Sequence, residues 1–204
     1  MYLHRKLENK VNFFNKIRDL DFILLACLLL LGFISLATMY STDGGEMLFH
    51  TKSHFFKFII FTLLMLLISF FNIRFWFSIG YLGYLITVLM LIYTVNFGIT
   101  ASGSQRWINL YFINIQPSEL MKIFIILCLA KFFHRKRLEN VNSLYSVLIS
   151  LIIIFLPMSL VIIQPDLGTA VLISISGIVV LWFAGLNHKY FFYSILISVL
   201  SLPF

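Results

Sequence analysis

The chain has 204 residues, of which 61% are hydrophobic and only 11% charged. Soluble domains average about 25% charged residues, so a water-soluble globule is excluded and lipid is the solvent. The formal net charge of +7 does not point to nucleic acid, because the basic residues are interleaved with apolar runs and their positions outweigh their sum.

A spanning helix needs about 20 apolar residues, within a range of about 17–25. Residues 1–21 form a basic N-terminal segment. The first span follows at 22–40. Its apolar stretch is longer than a signal-peptide core and no small-residue cleavage site follows, so it reads as an anchor. Further spans are expected at 55–71, 75–97, 117–133, 143–163 and 167–186. A seventh opens at Tyr190 and reaches Phe204. As a helix it rises only about 22 Å against about 30 Å of hydrocarbon, so the chain is expected to stop inside a span. The expected fold class is all-α: a polytopic transmembrane helix bundle of six full spans plus the start of a seventh. Residues 22–204 form one transmembrane domain, truncated at its C-terminus.

Two spans carry packing signals. In 167–186, Ala170, Ser174, Gly177 and Ala184 share one stripe. Small residues at that spacing let helix backbones approach closely, which places this helix in the middle of a bundle. Pro157 should kink the span 143–163, because it lacks an N–H and crowds the preceding turn. Most of the phenylalanines read as lipid-facing bulk.

Orientation follows from lysine and arginine. Arg5, Lys6, Lys10, Lys16, Arg18, Arg74, Lys131, Arg135, Lys136, Arg137 and Lys189 fall on one side, 11 of the 15 basic residues. That side is expected to be cytoplasmic, with the N-terminus inside and the loops 41–54, 98–116 and 164–166 outside. Cys27 and Cys128 lie inside apolar runs and read as small buried hydrophobes, not as a disulfide or metal site. The five histidines lie at or outside span ends. Only His50 and His54 are neighbours, and they read as interfacial polar residues ahead of metal ligands.

The acidic residues Glu8, Asp19, Asp21 and Glu139 sit beside basic neighbours and read as solvated. Asp43 and Glu46 flank Gly44-Gly45, which is turn chemistry. Glu119 and Lys122 stand apart in "QPSELMKIF". Pro117 suits the first helical position. Ser118 and Glu119 then occupy the first turn, where negative charge meets the positive end of the helix dipole. Lys122 lies one turn deeper and tilts back toward Glu119. The plain reading is a capped helix with a snorkelling lysine. The functional reading is a site for a pyrophosphate or sugar, because ionisable groups at a span mouth are expensive to keep. Arg106 beside Trp107 reads either as an interfacial anchor or as a phosphate fork. Asp166 in "IIQPDLGTA" reads as the cap of the following helix.

"GSQRWINL", "QPSELMKIF" and "QPDLGTAVLISISGIVVLWFAGL" stand in the order and spacing of the SEDS family (shape, elongation, division and sporulation). The sequence resembles that family over essentially the whole chain, and its elongation branch more than its division branch. The resemblance implies a ten-span protein of the bacterial cytoplasmic (inner) membrane that polymerises lipid II into peptidoglycan strands on the outer face. It implies a class B penicillin-binding protein as partner, membrane lipid around the bundle, and no nucleic acid. It names no certain cofactor and leaves a divalent cation open. The family's Glu and Lys of the PSE-x-x-K helix map onto Glu119 and Lys122, lining an outward cavity. Gln116 and Ser118 fall in the same motif, and Arg106 and Asp166 map onto the other motif charges. The catalytic base of the family belongs to a large outer loop expected beyond Phe204, so no base is placed here and Asp166 is not promoted to that role. Two other readings stay open. One is a lipid-II flippase, although the spans 22–40, 75–97, 143–163 and 167–186 carry no charge for a polar path. The other is an inactive truncated fragment.

Overall fold

The structure, a computed structural model, describes residues 18, 20–101, 104–110, 114–134 and 136–191. Most of the basic N-terminal segment and most of the expected seventh span lie outside the described residues. Contacts group the chain into two compact units, 1–72 and 73–204.

In the first unit, α1 (Phe22–Thr42) and α2 (Phe49–Ser69) pack as a helical hairpin. Asp21 caps α1 by accepting from the backbone N–H of Ile23 and Leu24, both at 3.0 Å. The connecting turn is short because Gly44 and Gly45 take φ of 78° and 82°, a region that glycine enters without a Cβ clash. Asp43 then reaches across the turn. Its Oδ2 accepts from the Thr51 backbone N–H at 3.2 Å and from the Thr51 hydroxyl at 2.5 Å. This corrects the sequence-based start at residue 55. The polar run His50–His54 lowers the apolar signal, yet Asp43 satisfies an otherwise orphaned first-turn donor and the helix begins six residues earlier, at Phe49. His54 Nε2 lies 3.0 Å from Ser35 Oγ and ties α2 back to α1. Among the described residues, no group of three or more His, Cys, Asp and Glu side chains forms a metal-ligating cluster.

In the second unit, α3 (Ile73–Phe97) leads through β1 (Ile99–Ala101), β2 (Ser104–Asn109) and β3 (Asn114–Ile115) into α4 (Pro117–Phe133). A single turn, α5 (Leu138–Val141), precedes α6 (Leu144–Ile163) and α7 (Leu167–Phe183). The bounds of α4 agree with the sequence reading, and those of α6 and α7 differ from it by one and three residues at one end. Among the described residues, four helices, α1, α2, α3 and α6, are long and apolar enough to cross a membrane. At 17 residues each, α4 and α7 sit at the short end of the spanning range of about 17–25.

The centre of this unit is α4, not α7. Pro117, Ser118, Met121, Ile125, Cys128, Leu129 and Phe133 of α4 are all buried, and the helix packs on α3, α7 and α6. Glycines allow the close approach. A Cβ on Gly80 would lie 3.1 Å from the Leu127 carbonyl oxygen, and one on Gly83 would overlap the Phe124 ring. The buried stripe of α7 is Ala170, Ile173, Gly177 and Leu181. Ala170 and Gly177 belong to the expected small-residue stripe, while Ser174 and Ala184 are only half-buried. Exposed leucine, isoleucine and phenylalanine side chains such as Ile73, Phe97, Phe155 and Phe183 cover the outside, the surface a lipid solvent requires.

Pro157 lies inside α6 and is buried. Proline at this position cannot donate to the carbonyl four residues back, that of Ile153. The Tyr84 hydroxyl of α3 donates to that carbonyl at 2.9 Å instead.

Candidate functional site

The segment between α3 and α4 is an antiparallel three-stranded sheet in the order β1-β2-β3. Trp107 pairs with Ile99, and Ile108 with Ile115. β1 and β3 are too short for a period-two pattern to show in the sequence, and the six residues of β2 do not alternate apolar with polar. Their effect is to hold Arg106 on the middle strand, which packs against α3 and α4.

Arg106 meets the N-terminus of α7. Its guanidinium donates to the Pro165 carbonyl oxygen at 2.6 Å and stands 3.5 Å from Asp166 Oδ2. Asp166 is also the expected cap, since its Oδ1 accepts from the Thr169 backbone N–H at 3.2 Å. One carboxylate oxygen therefore caps the helix and the other faces arginine. The carboxylate is largely buried and Arg106 is about one-third exposed. Arg106 Nε is buried with no hydrogen-bond partner among the described residues.

Gln116 completes this cluster. It stands at the N-cap of α4 with no side-chain cap bond, and its amide donates to Asp166 Oδ2 at 3.4 Å. The first two sequence motifs, neighbours in the chain, thus meet the distant third at Asp166. One turn along α4, Glu119 and Lys122 pair at 2.8 Å. Glu119 is more than half exposed and Lys122 about a quarter exposed. Pairing uses one of the three lysine donors, so the ammonium keeps two for another acceptor. Ser118 behaves differently: it is 1% exposed, on the stripe that turns into the bundle.

Sequence reasoning missed Gln164. It is 3% exposed, and its amide donates to the Leu91 carbonyl of α3 at 3.2 Å. The signal was the repeated Gln-Pro at residues 116–117 and 164–165, a polar residue ahead of a helix start in both places.

Fold and site define a polytopic membrane protein with a charged cluster where β2, α4 and α7 begin or meet. The chain belongs to the FtsW/RodA/SpoVE family of cell cycle proteins, whose model matches residues 18–203. It is 40% identical over 106 residues to the peptidoglycan glycosyltransferase MrdB of Escherichia coli K12, covering 52% of this chain and 28% of that protein. It is 32% identical over 206 residues to the probable peptidoglycan glycosyltransferase FtsW of Buchnera aphidicola subsp. Acyrthosiphon pisum, covering 97% of this chain and 52% of that protein. A chain of a peptidoglycan synthase complex that coordinates polymerization and crosslinking superposes with a TM-score of 0.78 at 21% identity, over 89% of this chain and 53% of that one. The rod shape determining protein RodA of Thermus thermophilus superposes with a TM-score of 0.60 at 25% identity, over 70% of this chain and 46% of that one. The chain spans about half the length of these relatives or less.

Proposed function

We propose that this chain works in a membrane peptidoglycan glycosyltransferase that polymerises lipid II into glycan strands during cell elongation. The observation that carries the reading is the convergence of Arg106 and Gln116 with the distant Asp166, one helical turn from the Glu119–Lys122 pair. Convergent charge at a helix mouth is unusual in lipid-facing protein and marks a functional site by default.

In glycosyl transfer, a sugar 4-hydroxyl attacks an anomeric carbon and the lipid diphosphate leaves with the bonding electrons. The hydroxyl proton goes to a base. Positive charge aimed at the departing diphosphate lowers the barrier. Lys122 and Arg106 supply such charge. Glu119 orients the lysine, while Asp166 and the Pro165 carbonyl orient the arginine. Lysine acts as a point charge and arginine as a planar fork. The base belongs, by the family resemblance, to a large outer loop of the family fold.

The same reading places the cluster on the outer face of the bacterial cytoplasmic membrane with the N-terminus inside, following the basic residues. The partner is a crosslinking class B penicillin-binding protein. The experiment is lipid II polymerisation by the intact protein with that partner. Glu119→Ala and Lys122→Ala should each reduce strand formation strongly, and unaltered strand length and rate in both would remove their assigned roles. Lipid II crossing vesicle membranes without polymerisation would favour a flippase instead.

A further inference from the structure

The opposite end of α4 carries a second feature that the lipid II reading leaves unused. Phe77 and Tyr81 of α3, Lys131 and Phe132 of α4, and Lys136 beyond it line a cleft of about 490 Å³. With 17 residues in α4 and a rise of about 1.5 Å per residue, it lies roughly 25 Å from the Gln116 end.

Both ammonium groups in the cleft are placed by the fold. Lys131 Nζ donates to the Ser78 carbonyl oxygen at 2.6 Å and sits 4.7 Å from the Tyr81 ring centroid and 5.7 Å from that of Phe77. Lys136 Nζ donates to Ser146 Oγ at 2.6 Å and sits 3.7 Å above the Phe132 ring. Each ammonium has three donors, so each keeps capacity for an acceptor in the cleft. Neither is paired with a carboxylate among the described residues. The nearest acid along the chain is Glu139, exposed in α5. Burial lowers the Lys136 pKa below the ordinary lysine value, because desolvation disfavours the charged form. Here α3 begins and α4 ends, so their dipoles oppose one another and the lysines set the sign of the field.

We infer that this cleft binds the phosphate of an anionic phospholipid, with Lys131 and Lys136 on the headgroup and the Phe77, Tyr81 and Phe132 rings against its glycerol and first methylenes. A free phosphate would need the charge but not the aromatic walls, and a neutral lipid would need the walls but not the charge. The surroundings favour lipid. The cleft sits at the end of apolar helices, where exposed Ile73 and Phe75 precede Phe77 on α3.

The test is native mass spectrometry of the intact protein, released from micelles holding equal phosphatidylglycerol and phosphatidylcholine. The wild type should retain phosphatidylglycerol in preference, by roughly fivefold per lysine engaged. Lys131→Gln with Lys136→Gln should bring retention to parity, whereas Lys131→Arg with Lys136→Arg should keep the preference. Lys131→Gln alone, which leaves the Lys136–Ser146 bond in place, should halve the effect on a logarithmic scale if the double variant does not fold. Equal retention of both lipids by the wild type would overturn the proposal. So would an unchanged preference in the Gln variants. Complete displacement of the lipid by inorganic phosphate at millimolar concentration would also overturn it, by assigning the site to a free anion.

Discussion

The Tyr84 hydroxyl donates to the Ile153 carbonyl at 2.9 Å, and Ile153 is the carbonyl that Pro157 leaves without its intrahelical donor. A helix defect in one element is thus answered by a polar group on another, and the bond fixes α3 against α6.

Tyr84→Phe should therefore destabilise the protein. Interhelical bonds in membrane proteins average about 0.6 kcal/mol, while a buried carbonyl left unpaired loses about 1–3 kcal/mol. We expect about 1 kcal/mol, since Pro157 prevents the helix from taking the carbonyl back. Pro157→Ala restores an N–H four residues along and should remove most of the penalty. A double-mutant cycle by chemical denaturation in micelles checks this; additive effects of the two substitutions would contradict it.

Gly177 of α7 gives a packing prediction. A Cβ there would lie 2.6 Å from Ile154 Cγ1 on α6 and 3.5 Å from Leu129 Cδ1 on α4. Overpacking of a filled core costs about 1–3 kcal/mol. Gly177→Leu should lower thermal stability accordingly, while Gly168→Leu, next to no close neighbour, should change it little.

Asp166 does two jobs that can be separated. Asn keeps a cap acceptor for the Thr169 N–H but removes the charge facing Arg106. Ala removes both. Asp166→Ala should be less stable than Asp166→Asn by about 1 kcal/mol, measured by thermal melting. Both should weaken the hold on Arg106 alike, so any loss of substrate affinity should be similar in the two.

What could be read from the sequence follows range. The Glu119–Lys122 pair was legible because both residues sit on one turn and helix geometry alone brings them together. The same holds for the Asp166 cap and the bounds of α4. The Arg106–Asp166 pair was not, because it depends on how β2 packs against α4 and where α7 starts. The motifs fixed their order in the chain but not their contact. The early start of α2 was hidden by polar residues from His50 to His54, where a side chain in the turn, Asp43, decides instead of hydropathy. The strands between α3 and α4 were hidden because β1 and β3 are two or three residues long and β2 does not alternate. The small-residue stripe pointed to α7 as the central helix. The second unit instead centres on α4, whose lysine and glutamate near its start obscured the buried stripe that follows.

The central claim is that the cluster at the start of α4 holds a lipid-linked diphosphate. Its most direct test is the affinity of the intact protein in micelles for lipid II carrying a fluorescent label, compared with Lys122→Gln and Arg106→Gln. Loss of a charge-assisted hydrogen bond is worth about 1.5–3 kcal/mol, so each variant should bind about 10- to 100-fold more weakly with its helix content unchanged. Wild-type affinity in both variants would contradict the account.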